Sequence, residues 1–233
     1  MKLTSLQIDH LYQFTRQHYV EWYDLQTELV DHLANAIEEQ WQQNPKLTFE
    51  DALQIEFKKF GIFGFMDVVE KRQIALGKQY NKLVWNHFKD FFSIPKIIGT
   101  LSAIGLLFLI MQRFSFAHII VITLFMVSSV IFWIEIFRMS KKNKKQAKIS
   151  GKKWLYKDII FGFSSFGGFS YLPLQIGLQL YDKIEINMIS SMIISITVVS
   201  ILLFNYIILK IIPSKAEHYL KKTYPEYELA NTL

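Results

Sequence analysis

The chain has 233 residues, enough for one or two domains, and about half of them are hydrophobic. There is no cysteine, which excludes disulfides, thiolate zinc sites, iron–sulfur clusters and cysteine nucleophiles. The net charge of +6 is divided sharply. Residues 1–92 carry 10 Lys/Arg and 13 Asp/Glu, a net of −3, whereas residues 93–233 carry 16 and 7, a net of +9. That surplus flanks apolar runs, which points to anionic lipid rather than nucleic acid as its partner.

The first residues, MKLTSLQIDHLYQF, contain no apolar h-region and no small-residue cleavage site. No signal peptide is expected, so internal segments would direct membrane insertion. Residues 1–90 read as a soluble helical domain. Thr4 and Ser5 precede an apolar pattern of Leu6, Ile8, Leu11, Tyr12 and Phe14, which marks a helix start. Trp22, Leu25, Leu29, Leu33, Ala36 and Ile37 recur at three- and four-residue steps, predicting a second helix from about Glu21 to Gln43 that ends before Pro45. Thr48-Phe49-Glu50-Asp51 fits a capping signature and opens a third helix, with Gly61 as its stop. A fourth stretch, from about Phe65 to Phe91, runs on toward the membrane segments as a connector.

On the second helix, Glu21, Asp24, Glu28, Asp31 and Glu38 form one acidic stripe. Two readings are open. The stripe is a solvated face, or it is a docking surface for a basic partner, either another protein or the basic stretch of this same chain. Of the four candidates for partner binding (Glu21, Asp24, Glu28 and Asp31), none belongs to a recognisable metal or catalytic motif. Glu28, Asp31 and His32 share a turn, but HExxH, a Gly-rich phosphate loop and GxSxG are all absent. No catalytic residue, cofactor or metal is expected.

The succession Glu28-Leu29-Val30-Asp31-His32-Leu33, a Pro-containing turn, Leu47-Thr48-Phe49-Glu50-Asp51-Ala52-Leu53 and Phe60-Gly61 resembles the HAAS-type helical domain and the similar permease-prefix domain. The resemblance covers about residues 5–75. It implies a cytoplasmic domain placed before membrane helices in a bacterial signalling protein. It also implies a PadR-like regulator or a permease as partner, and brings no catalytic residues.

Four stretches lack Asp, Glu, Lys and Arg: 97–112, 114–134, 159–181 and 186–209. A spanning helix needs about 20 apolar residues, so four spans are expected at about 94–112, 114–137, 158–181 and 186–209. The fold class is therefore all-α. An N-terminal soluble helical domain (1–90) would precede a four-helix transmembrane bundle (91–212) and a cytoplasmic tail (213–233). Between spans two and three lies RMSKKNKKQAKISGKKWLYK, with Arg138, Lys141, Lys142, Lys144, Lys145, Lys148, Lys152, Lys153 and Lys157 and no acid. Read as a loop, it holds its side of the membrane in the cytoplasm and lies on anionic lipid, with exchange onto the acidic stripe as a second option. The expected outer loops carry only Arg113 and Lys183. Both termini are thus expected to be cytoplasmic and the protein to be a multi-pass inner-membrane protein.

Gly162, Ser164 and Gly168 suit close helix packing, as does the Gly99–Ala103 pair, and Pro173 should kink span three. His118 and Glu135 lie near the membrane boundaries rather than at mid-depth. The function these features favour is non-enzymatic: a membrane protein whose cytoplasmic head is a regulatory or protein-interaction module. The alternative is a small transporter or accessory permease subunit built on Pro173, Gln175, Gln179, Asn205 and the hydroxyls of span four. Homo-oligomerisation stays open.

Overall fold

The computed structural model describes residues 2–114, 116–162, 187–225 and 227, and among them every regular element is helical. Helix α1 (Ser5–Gln17) starts at Thr4 with a reciprocal cap: the Thr4 hydroxyl accepts from the Gln7 N–H, and the Gln7 side chain accepts from the Thr4 N–H. Helix α2 (Tyr23–Gln43) buries Leu25, Leu29, Leu33, Ile37 and Trp41, an i, i+4 row along one face. Thr48 caps α3 (Phe49–Lys58) by accepting from the Asp51 N–H at 3.1 Å. The turn after α3 uses Gly61 and Gly64, both at positive φ. Gly64 also lies hard against Phe57, where a Cβ would fall 2.9 Å from the ring. Helix α4 (Met66–Asp90) then leads toward the apolar helices.

Helix α5 (Lys96–Arg113), helix α6 (Ala117–Ser150) and helix α8 (Met188–Tyr206) contain windows long and apolar enough to cross a membrane. Only 11%, 17% and 28% of those windows are buried, so most of their apolar surface faces outward. Between α6 and α8 lies a short helix, α7 (Leu155–Phe161). Helix α8 continues through a π-helical stretch, Ile207–Ile211, and α9 (Ile212–Ser214), and is followed by α10 (Ala216–Thr223). The expected span 158–181, including Ser164, Gly168 and Pro173, lies outside the described residues beyond Gly162, as do Gln175, Gln179 and the side chain of His118.

The structure differs from the sequence reading in three places. Residues 138–150 are not a loop: α6 runs unbroken to Ser150 and stops at Gly151, which takes the left-handed conformation. At about 1.5 Å per residue its 34 residues extend roughly 51 Å, against about 30 Å of hydrocarbon. Roughly 20 Å of helix therefore projects past the hydrocarbon of any bilayer it crosses.

Secondly, neither residue 90 nor residue 213 is a boundary of the hydrophobic core. One continuous cluster takes in Leu29 and Leu33 of α2, Leu76 and Tyr80 of α4, Ile136 of α6, Leu155 and Ile160 of α7, and Ile212, Leu220 and Tyr224 at the C-terminal end. The stretch that reads as a tail is packed into the core of the head. Ile159 and Ile160, which read as the start of a span, are buried there too.

Thirdly, the Gly99–Ala103 pair makes no close helix contact among the described residues. A Cβ on Gly99 would meet nothing, and Ala103 is exposed. Helices α5, α6 and α8 meet instead through a smaller cluster of Leu107, Met111, Ala117, Val121, Val198 and Val199. The close approach comes from Ser191 and Ser195 of α8, both fully buried, with the Ser195 hydroxyl 3.8 Å from Met111 Sδ.

Candidate interaction site

The residues that link the head to the rest of the chain gather at the start of α2. Asp24 lies in the first turn of that helix, where a carboxylate suits the positive end of the helix dipole. It is buried, and both of its oxygens are used. The Leu155 N–H donates to Oδ1 at 3.1 Å, and the Tyr224 hydroxyl donates to Oδ2 at 2.7 Å. The Tyr224 oxygen in turn accepts from the Tyr156 N–H at 3.2 Å. One carboxylate thus joins the head, the start of α7 and the C-terminal segment, partners 131 and 200 residues away along the chain.

Burial pushes the Asp24 carboxyl above its ordinary value; the two hydrogen bonds and the charge of Arg72 oppose the shift. Burial and the neighbouring Asp24 charge push Tyr224 well up. Burial and Tyr219 lift Tyr156 to about 12. Both hydroxyls therefore stay protonated over the physiological range, and that of Tyr224 acts as the donor to Asp24.

A second carboxylate, Asp158, closes the other side of the joint. It accepts from Trp22 Nε1 at 2.9 Å and from Asn143 Nδ2 at 2.8 Å. Lys153 lies 3.3 Å from Asp158 and 2.6 Å from Glu21, with its ammonium 4.9 Å above the Trp22 ring. Burial would lower Lys153, but the Glu21 bond and the charges of Asp158 and Glu21 outweigh it and hold the group above its usual range. The Tyr23 N–H donates to the Lys153 carbonyl at 2.7 Å. The Trp154 ring packs against Tyr23, Tyr224 and Tyr227, with centroids 5.4, 5.0 and 4.9 Å away.

The sequence-derived site residues separate on this geometry. Glu21 and Asp24 meet residues 153–155, so half of the proposed acidic docking face is occupied by the chain itself. Asp24, being buried, offers no surface to another molecule in this arrangement. Glu28 and Asp31 stay exposed and have no salt bridge among the described residues. His32 is exposed and sits edge-on to Phe60 at 5.9 Å. Of the basic residues, Arg138 pairs with Glu135 at 3.2 Å; Lys141, Lys142, Lys144, Lys145 and Lys148 are exposed on α6, while Lys152, Lys153 and Lys157 are half-buried. Gly162 ends α7. In α8, Ser195 and Thr197 bond to carbonyls one turn back, at 2.7 and 2.8 Å, so these hydroxyls serve the helix itself.

Sequence reasoning passed over Asp158, Asn143, Trp22 and Tyr224 as site residues. A signal existed for the first: Asp158 is the lone acid between Glu135 and Asp182, directly after the nine-cation run. Nothing in the pattern marked Tyr224. Among the described residues no group of three or more His, Cys, Asp or Glu could hold a metal ion. No family model matches the chain, and no curated protein or solved structure shows significant similarity to it.

Proposed function

We propose that this chain is a non-enzymatic, multi-pass protein of a bacterial inner membrane. Its cytoplasmic helical head is a regulatory or protein-interaction module coupled to the membrane helices. The observation that carries this reading is the Asp24 joint within one continuous core, which ties head, α7 and C-terminal segment together. A head held this way cannot shift without moving α7 and the end of α8, so binding at one end biases the other.

Connectivity supports the topology. Asn187, before α8, lies beside the far end of α5, with its carbonyl accepting from Gln112 at 3.5 Å. Ile207, past the end of α8, is in the head core, as are Ile159 and Ile160 of α7. Ile160 and Asn187 therefore lie toward opposite ends of the apolar helices, which favours the four-span reading. Four crossings put both termini on the lysine-rich side, the cytoplasmic one by the positive-inside rule. On the HAAS-type resemblance, the partner would be a PadR-like regulator or a permease.

Because the chain lacks cysteine, single introduced cysteines report topology cleanly. In sealed inverted vesicles, an impermeant thiol reagent should label Lys145→Cys and spare Arg113→Cys. The opposite pattern overturns the orientation. For the interaction role, photocrosslinkers on the exposed faces of α1 and α3 should capture a cytoplasmic protein other than this chain in native membranes. Capture of lipid or of this chain alone would refute it.

A further inference from the structure

The end of α6 that projects past the apolar helices is built as a two-sided element. Asn143 is buried on one side, in line with Phe132 and Ile136 of the preceding apolar turns. Lys141, Lys144, Lys145 and Lys148, at steps of three, one and three, fall on the opposite side and are all exposed. None of the four has a salt bridge among the described residues. The face is pre-ordered: Asn143 is tied to Asp158, and Lys153, just past the end of α6, is tied to Glu21.

Lipid is a poor match for the outer part of this face. Arg138, paired with Glu135, marks the end of the apolar stretch. Lys148 is ten residues further on, or about 15 Å along a continuous helix. The headgroup layer extends only about 5–7 Å beyond the hydrocarbon, and the Debye length is about 8 Å at physiological salt. Lys141 can reach headgroups. Lys144 and Lys145, about 9 and 11 Å along, are within a Debye length of them, and Lys148 stands off them.

A matching surface exists on the same molecule. Glu28, Asp31 and Glu39 of α2, with Asn35 among them, lie opposite its buried row and are all exposed. Glu28 and Asp31 are three residues apart, the same step as Lys141–Lys144 and Lys145–Lys148. In each chain α2 begins at the level where α6 ends, because Glu21 meets Lys153. A neighbour standing in the same bilayer holds the start of its α2 at that same height.

We infer that the lysine face of α6 docks on the acidic face of α2 of a second copy of this chain. Two such contacts related by a twofold axis along the membrane normal close a dimer, each copy using both surfaces once. Exposed ion pairs are individually weak, so the association is salt-sensitive.

The test uses the full chain in membranes. One copy carries Glu28→Cys and the other Lys145→Cys. Under mild oxidation the mixed disulfide should exceed that of a control pair, Lys58→Cys with Lys145→Cys. Raising salt, or the reversals Asp31→Lys and Glu39→Lys, should cut the yield about tenfold, the combined effect of several weak pairs. Adding Lys141→Glu, Lys144→Glu and Lys148→Glu to the copy carrying Lys145→Cys should restore it. Unchanged circular dichroism guards against misfolding. A mixed disulfide no greater than the control, or one indifferent to charge reversal, overturns the proposal. So does a lysine face whose reversal alters only binding to vesicles of anionic phospholipid.

Discussion

Tyr224→Phe removes one hydroxyl that serves two neighbours in the buried joint. The bond to Asp24 is 2.7 Å long and involves a carboxylate, so its loss costs about 1.5–3 kcal/mol. The Tyr156 N–H, 3.2 Å from that oxygen, loses its acceptor, and an unsatisfied buried donor adds about 1–3 kcal/mol. Relaxation offsets part of this, because the ring itself stays packed against Trp154. A net cost of about 2–3 kcal/mol should raise the population of an opened C-terminal segment roughly 30- to 150-fold. Trypsin provides the assay. Lys221 and Lys222 are exposed on α10, next to the joint, and cleavage after them at low protease tracks the opened population. Lys58 and Lys59, exposed at the end of α3, serve as the internal control. The expected result is faster cleavage at 221–222 with little change at 58–59. An unchanged rate at 221–222 would show that Tyr224 does not hold the segment. An equal rise at both places would mean general destabilisation and would refute the coupling argument.

Asp24 also makes stability depend on pH. Its folded pKa is raised, so the folded state holds the proton more tightly than the unfolded one. That contribution is complete below the unfolded value of about 3.9 and is lost as pH rises through the folded value. The stability of the native chain relative to Asp24→Asn should therefore decline from about pH 4 toward neutral; a flat difference in chemical denaturation would rule this out. Gly64→Ala meets the Phe57 ring at 2.9 Å and is strained at φ +54, whereas Gly61→Ala at φ +78 meets nothing. Thermal unfolding in detergent should show a loss of about 2 kcal/mol or more for the first and about 1 kcal/mol for the second. Ser195→Leu should push α5 and α8 apart at a cost of about 1–3 kcal/mol, while Ser195→Ala should be nearly neutral. Disulfide formation between cysteines introduced at 112 and 187 reads that separation, since the two residues are in hydrogen-bond contact. Thr48→Ala should cost about 1 kcal/mol in chemical denaturation through loss of the α3 cap.

Local order was legible wherever the cause was local. The caps at Thr4 and Thr48 and the i, i+4 row of α2 depend on residues a few positions apart, and the structure places them within two residues of the expected bounds. The candidate site was legible only in its charges. Opposite charge on α2 and on the 138–157 stretch left a contact between them as one option beside a solvated face, and in the structure Lys153 meets Glu21. Which of nine cations would make it depended on where α6 stops and α7 turns. The break at Gly151 was hidden because lysines suit a helix as well as a loop.

By itself the sequence determined the helical class, the runs apolar enough to cross a membrane and the positive charge that flanks them. Each follows from composition within a window of about 20 residues. Only the tertiary structure decided that residues 204–225 and 227 complete the head, that Asp24 is an internal joint rather than an exposed docking group, and that residues 138–150 of the basic stretch continue a helix. The physical reason is that a buried carboxylate is tolerable only where donors converge on it. Its donors here come from 131 and 200 residues away, a distance over which no pattern in the chain carries information.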